Sequence, residues 1–394
     1  MNPVNKTYTI LGMRKIVGFF FILTIVVYFI SSPGNTPFDY FTRLADSFLQ
    51  GKYYLEDNPP WLSELIPAGE KRYYVVYPPM PALVSIVFRL VLGDTFQQHY
   101  LAIIMGAGIT LLTMSISWIH KKDKKMLIFV GLLTSIGNII WFLSSVGSSW
   151  YLGQISAAFF VTAAIYESFS KRRPYLVGIF LGAAFLSRLH TALSFPLFLY
   201  LFYDKKNWFT NYLKIGLGAL PFLGFNFYYN FVRFGTIFDK AYILIPGLHD
   251  EPWFKDGLFN FKYIPEGLRT MFLSLPRISK DFPYITPSWY GLSILITSPI
   301  FLYTLFSNLK DKLNISIWLS ILPIAILVLS HGTTGFAQFG YRFAVDFYPL
   351  IFLLLINYFS QNKIKVVHWL LLTFGIVVNL WGVICINKLG LVGF

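Results

Sequence analysis

Five ionisable residues stand at or near the ends of apolar runs, and their types suit transfer chemistry at a phosphate: Asp39, Arg188, Arg233, Arg342 and Asp346. A carboxylate at the edge of a bilayer, as at Asp39, can act as general base toward a hydroxyl. Arg188 lies in Ser187-Arg188-Leu189-His190, a turn almost without spacer between two apolar runs. Charges there are costly and usually paired or functional, although an arginine can also snorkel outward. Arg233, in the stretch Tyr229 to Phe238, offers a donor fork that matches phosphate, and Gly235 lets the backbone turn away from the membrane. Tyr341-Arg342-Phe343-Ala344-Val345-Asp346 places Arg342 and Asp346 at i and i+4, a spacing that predicts a helical salt bridge. Asp346 falls a turn inside an apolar run, where an acid is rare without a reason.

The element that must position Asp39 is residues 38 to 51. As a helix it sets Asp39, Arg43 and Asp46 on one face and Phe41, Leu44, Ala45, Phe48 and Leu49 on the other, an amphipathic rod lying on the bilayer. Thr36 is its expected N-cap, Pro37 its first residue and Gly51 its stop. Asp39 then occupies the third position, which capping and the helix dipole also favour for an acid. Arg43 and Asp46 are expected to pair with each other. Further on, Arg72, Tyr73, Tyr74, Tyr77, Pro78 and Pro79 combine a cation, aromatic rings and a stiff turn. Such a group suits the wall of a sugar or lipid pocket, and an interfacial aromatic belt explains the tyrosines as well.

The 394 residues are 56% hydrophobic and 13% charged, too apolar for a soluble protein of this length. The expected fold class is an all-α polytopic membrane protein forming a single domain over 1–394, without a soluble C-terminal domain. Eleven spans are placed near 13–31, 98–118, 126–142, 150–168, 174–187, 190–204, 211–231, 287–307, 314–330, 343–359 and 366–386, each approaching the roughly 20 residues a helix needs to cross. The run 80–93 is too short and carries Arg89, so it is read as an interfacial helix. With the N-terminus inside, short inner loops collect 17 of the 32 Lys and Arg, from Lys6, Arg14 and Lys15 to Lys363 and Lys365. The inner side then carries +13 and the outer side +1, a strong positive-inside bias. The net charge of +14 thus reports orientation, not nucleic-acid binding. The single Cys385 excludes a disulfide framework and a cysteine metal site.

This topology places all five ionisable residues on the outer side, with outer segments at 32–97, 232–286 and 331–342. Acids and phosphate-binding cations then share one place, as a sugar linked to a lipid through phosphate requires. No zinc spacing, Walker loop or nucleophile elbow points elsewhere.

The chain resembles the integral-membrane glycosyltransferases of the GT-C superfamily, which includes protein mannosyltransferases and the lipid A aminoarabinose transferase. Phe38 to Gly51, Tyr77 to Leu83, Tyr229 to Phe238 and Gly340 to Leu350 look like a group of uncharacterised bacterial members. The resemblance implies a polyprenyl-phosphate sugar donor, an inverting displacement and a lipid, glycan or protein acceptor at the outer face of a bacterial cytoplasmic membrane. It implies Asp39 as base or acceptor-positioner and Arg233 and Arg342 as phosphate ligands, with Arg188 beside them. Tyr77, Tyr341, Asp346, His190 and Arg43 are the expected substrate contacts. Two features depart from the pattern: Asp39 is followed by Tyr40 rather than a second acid, and Tyr77-Pro78-Pro79 replaces His-Pro-Pro. A divalent cation is left open, since metal dependence varies across the superfamily. The alternatives are a transporter or flippase, or a ligase or polymerase, of a lipid-linked glycan.

Overall fold

Apolar residues in runs of 18 or more can satisfy their backbone in lipid only as helices, and helices dominate the chain. The computed structural model describes residues 3–392 except 281, with side chains from residue 12 onward, so Lys6 lies outside the described side chains. Among these residues six helices are long and apolar enough to cross a membrane: Gly12–Ser31, Gln98–His120, Ser149–Phe169, Lys312–Leu329, Arg342–Gln361 and Val366–Lys388. The protein is a polytopic all-α membrane protein.

The remaining expected spans take other forms. The run 126–142 is a pair, Lys124–Ser135 and Ile140–Val146, bent by 47°. Asn138 makes the bend, accepting from the Ile140 N–H at 2.9 Å and donating to the Leu133 carbonyl at 2.6 Å, bonds that replace the helical ladder. Pro174–Phe185 and Leu189–Phe202 are short apolar helices on either side of the Arg188 turn. The run 211–231 lies within Trp208–Phe234, and 287–307 is not one continuous helix. There Ile294–Thr297 gives way at Ser298 and Pro299 to a 3-10 segment, Pro299–Phe306, because proline cannot donate to the turn before it. Met80–Leu92 is a 13-residue helix with Val87, Leu90 and Val91 exposed along one face.

Ser149–Phe169 and Arg342–Gln361 form the centre, with 83% and 89% of their apolar windows buried, while Gly12–Ser31 is peripheral at 22%. Pro174–Phe185 and Trp208–Phe234 approach so closely that a Cβ on Gly178 would meet the Ile215 carbonyl oxygen at 2.0 Å, and one on Gly218 the Tyr175 carbonyl oxygen at 2.1 Å. Small residues at this crossing let backbones touch, the usual source of helix association where lipid competes for every apolar side chain.

The basic loops gather at one end. Lys121 donates to the Phe359 carbonyl at 3.4 Å and Lys125 to that of Ile364 at 3.0 Å, which brings 121–125 beside 359–365. At the opposite end Lys388 donates to the Ser32 carbonyl at 2.8 Å.

The amphipathic helix forms later than its capping signals predict, over Tyr40–Leu49. Thr36 Oγ1 accepts from the Phe38 N–H at 3.2 Å, a local turn, and Ser149 donates to the Phe38 carbonyl through both its N–H (3.1 Å) and its hydroxyl (2.8 Å). Those bonds occupy the carbonyl a helix would need, so Asp39 is the N-cap residue rather than the third position. Gly51 does lie past the helix end, at φ +73°. The ion pairing also differs from expectation. Arg43 binds Asp39 at 2.7 Å and Asp57, while Asp46 is held by Arg89 through two bonds of 2.6 and 3.0 Å. The fork of Arg89 matches both carboxylate oxygens and ties this helix to Met80–Leu92.

Candidate active site

At the end opposite the basic loops, a cavity of about 470 Å³ opens between segment 32–97, the Arg188 turn and the 331–343 loop. Two arginines line it. Arg188 is held in extended backbone at φ −150° by the start of the 3-10 helix Leu189–Ser194. Its Nη2 donates to Asp346 Oδ2 at 2.9 Å, and His190 Nε2 lies 2.7 Å from the same oxygen, so the imidazole proton sits on that nitrogen. Asp346 has no exposed side-chain surface, and its Oδ1 has no hydrogen-bond partner among the described residues. The expected Arg342–Asp346 pair is absent because residues 342–347 form a 3-10 helix, whose three-residue turn carries i+4 off the face of i.

Arg342 instead has no carboxylate in ion-pair contact among the described residues, and the Glu64 charge acts on it only at longer range. Gln154, from the middle of the buried helix Ser149–Phe169, donates to the Arg342 carbonyl at 2.9 Å and stands 3.5 Å from Nη1 through Oε1. The guanidinium lies 4.8 Å from the Phe343 ring centroid and 5.7 Å from that of Tyr151. Its Nε has no partner. A cation enclosed by aromatic rings and one neutral amide has surrendered much of its hydration with no opposite charge in contact, and an anionic ligand reduces that cost.

Two acids line the cavity, Glu64 and the exposed Glu251, and the more buried of them is Glu64, which the sequence reading missed. The two-stranded ribbon Ile66–Pro67 with Tyr73–Tyr74 presents it, its N–H donating to the Tyr40 hydroxyl at 3.2 Å. Trp150 Nε1 donates to its Oε2 at 3.0 Å. Burial pushes its carboxyl up to about 7, against the opposing pull of the Trp150 bond and the Arg342 charge. It is therefore shared between acid and base forms near neutrality, a condition that favours proton transfer. Asp39 is placed differently. Phe38 and Phe41 line the cavity, but the Asp39 carboxylate is turned to Arg43, and burial raises its pKa despite that partner.

Of the other expected contacts, Tyr77 lines the cavity and its hydroxyl is unpartnered. Tyr341 is buried against Phe343, 6.0 Å between rings, and Arg43 lies with Asp39 and Asp57 away from the wall. Arg233 is not brought to the cavity. It donates to the Val75 carbonyl at 2.8 Å and to Asn230 Oδ1 at 2.9 Å, with the Tyr229 ring 3.7 Å away, so it pins the helix end to the first outer segment. Tyr242 and His331, also unforeseen, complete the wall. Burial pushes the Tyr242 phenol up to about 12 and draws His331 down to about 4, the latter helped by the nearby arginines. His331 Nδ1 lies 3.2 Å from the Thr333 N and 3.1 Å from the Thr333 carbonyl oxygen, which fixes the ring against its own loop. Gln154, inside an apolar span, carried a signal for these residues; Glu64, in a short polar loop, carried none.

A second space of about 680 Å³ adjoins the cavity and shares Tyr77, Arg188, Tyr242, His331 and Phe343 with it. Leu193, Leu258, Phe259 and Leu327 make it largely apolar, so a greasy groove meets a polar chamber at Arg188.

Two solved structures share this architecture. The crystal structure of ArnT from Cupriavidus metallidurans bound to undecaprenyl phosphate superposes over 92% of this chain with a TM-score of 0.57 at 12% identity. The apo oligosaccharyltransferase of Archaeoglobus fulgidus also matches, over 96% of this chain with a TM-score of 0.52 and 12% identity. The chain shares the fold of these two structures and spans 63% and 55% of their lengths. No family model matches it, and no curated protein sequence does.

No group of three or more His, Cys, Asp or Glu among the described residues is arranged to hold a metal ion. Of the acids near the cavity, Glu64 is engaged by Trp150 and Asp346 by Arg188 and His190, while Glu251 also lines the wall.

Proposed function

We propose that this protein transfers a sugar from a polyprenyl-phosphate donor to an acceptor at the outer face of a membrane, with inversion at the anomeric carbon. One observation carries the reading: Arg342, a cation in the cavity wall with no acidic partner among the described residues, faces the same chamber as Arg188 where an apolar groove joins it. A lipid phosphate satisfies both halves of that junction, its isoprenoid chain in the groove and its phosphate between the guanidinium groups. One of the two similar structures holds undecaprenyl phosphate, which supports a lipid phosphate as the carrier of the sugar.

In this reaction an acceptor hydroxyl attacks the anomeric carbon as the bond from that carbon to the phosphate oxygen breaks. Glu64 in its ionised form takes the hydroxyl proton. Charge grows on the departing phosphate, and Arg188 and Arg342 stabilise it there more than in the ground state, which is what lowers a barrier. Asp346 and His190 hold Arg188 toward the chamber. The N-terminus and the basic loops lie on the cytoplasmic side, as the distribution of Lys and Arg requires.

The test is transfer by the purified full-length chain in lipid nanodiscs supplied with undecaprenyl-phosphate hexoses and pentoses and with extracted cell-envelope glycans and lipids. Transfer by wild type, lost in Arg342→Gln, is expected. Equal transfer by both proteins would overturn the reading.

A further inference from the structure

A third space, of about 580 Å³, adjoins the polar cavity, sharing Trp253, Thr333 and Phe336 with it. It shares no residue with the groove. The two spaces differ in chemistry: the groove combines leucines with aromatic rings and suits an isoprenoid, whereas the third space combines aromatic rings with Ser and Thr side chains.

The aromatic rings form one wall. Trp253 and Phe336 lie 5.0 Å apart between centroids and Phe336 and Tyr290 6.1 Å apart, with Trp253 and Tyr290 38% and 48% exposed. Opposite them stand hydroxyl groups from Thr270, Ser274, Ser288 and Thr334, and a loosely paired Arg269 and Glu266 at 3.7 Å whose side chains are 74% and 64% exposed. Leu273 and Leu275 complete the lining.

The wall is held in place from behind. Gln338, fully buried, donates through one Nε2 to the carbonyls of Tyr290 and Thr334, both at 2.8 Å, and so clamps the two segments that carry ring and hydroxyl. Gly332 lets the loop pass close to its neighbour, since a Cβ there would meet the Trp253 carbonyl oxygen at 2.6 Å. A preformed surface of this kind binds without first paying to order itself.

We infer that this space is an acceptor subsite for a saccharide. The inference rests on the glycosyl-transfer reading and adds the class of acceptor to it. A pyranose ring presents C–H bonds on its faces, which lie against aromatic rings, and hydroxyl groups around its edge, which both donate and accept. The subsite matches both features and balances its one cation with one anion, so it selects a neutral or weakly charged sugar. A second lipid chain finds little there, with only two leucines among hydroxyl groups. A glycan reaching through this subsite delivers its hydroxyl past Thr333 into the chamber holding Glu64, while the sugar donor arrives through the separate apolar groove.

The experiment uses the full chain in nanodiscs and saturation-transfer NMR on three water-soluble tetrasaccharides, of β-1,4-linked N-acetylglucosamine, α-1,6-linked mannose and α-1,4-linked glucose, each up to about 10 mM, a ceiling suited to weak sugar binding. Undecaprenyl phosphate binding is measured separately on the same proteins. At least one tetrasaccharide is expected to take up saturation at ring C–H protons. Tyr290→Ala, which removes a half-exposed ring but leaves its carbonyl to Gln338, and Phe336→Ala are each expected to weaken that binding at least about tenfold. Arg342→Gln is expected to lose undecaprenyl phosphate and keep the saccharide. The inference is overturned if none of the three saccharides binds wild type, or if binding is unchanged in both ring variants. Loss of undecaprenyl phosphate binding in wild type would instead sink the sugar-donor reading, and the saccharide arm is read independently of it.

Discussion

Trp150 donates its indole N–H to Glu64 Oε2 at 3.0 Å, joining a loop of the first outer segment to a helix 86 residues later. The bond aims the carboxylate along the cavity wall, and the enclosure that Trp150 helps to create raises the pKa to about 7. A base must be ionised to accept a proton, so kcat/KM for transfer is expected to rise with pH through a limb near 7 and level off above it. Glu64→Gln should lower transfer about 10²- to 10⁴-fold and abolish the limb. Asp39→Asn should keep the limb, because Asp39 is turned to Arg43. A limb retained in Glu64→Gln but lost in Asp39→Asn would return the base role to Asp39.

The same pKa has a stability consequence of definite sign. Burial raises the folded-state pKa of Glu64 above the ordinary value of 4.5, so between about 4.5 and 7 the folded state binds more protons than the unfolded one. Stability contributed by this group is present below that window and is lost as pH rises through 7, to a limit of roughly 3 kcal/mol. Glu64→Gln removes the ionisation cost. It is therefore expected to melt higher than wild type at pH 8 and close to wild type at pH 5, measured by thermal unfolding in nanodiscs.

Arg342 should dominate phosphate affinity. Its guanidinium has no acid to lose, so replacing it with glutamine removes charge-assisted bonds worth about 1.5–3 kcal/mol, a fall of about 10- to 100-fold in undecaprenyl phosphate affinity by equilibrium binding. Arg342→Lys keeps the charge and loses the fork, and should fall between the two. Unchanged affinity in Arg342→Gln would remove this residue from the phosphate site.

Asp346 tests whether Arg188 must be held. Asp346→Asn leaves a guanidinium facing a buried neutral amide, and breaking a buried pair from one side costs about 3–5 kcal/mol. Lower thermal stability and a raised KM for the sugar donor are expected together. Adding Arg188→Gln should recover part of the stability, since the unpaired charge is gone, but not the KM. If the double variant recovers both, Arg188 serves the fold and not the phosphate.

The Gly178 and Gly218 crossing can be tested against an internal control. A Cβ at Gly178 meets the Ile215 carbonyl at 2.0 Å, whereas one at Gly224, on the same long helix as Gly218, meets nothing within 4 Å. Gly178→Ala should cost about 1–3 kcal/mol through forced separation of the backbones. Gly224→Ala should be neutral or stabilise by up to about 1 kcal/mol by helix propensity. Melting temperatures of the two variants check the contrast.

Membrane class was legible in the sequence alone because it depends on local composition: a run of 18 or more apolar residues can close its hydrogen bonds in lipid only as a helix. That Arg188, His190, Arg342 and Asp346 stand where a polar or charged group is costly was legible for a related reason, since that cost is readable from the adjoining apolar run without knowing the neighbours. The partners of those charges were not legible. Sequence spacing paired Asp346 with Arg342 and Asp46 with Arg43, yet the structure pairs them with Arg188, 158 residues away, and Arg89, 43 away. Pairing by i and i+4 holds only where an α-helix exists to bring the side chains together, and at 342–347 the turn is tighter. Glu64 lay beyond sequence reading altogether. A glutamate in a short polar loop is ordinary until folding encloses it with Trp150 and Arg342, and only that enclosure changes its proton affinity.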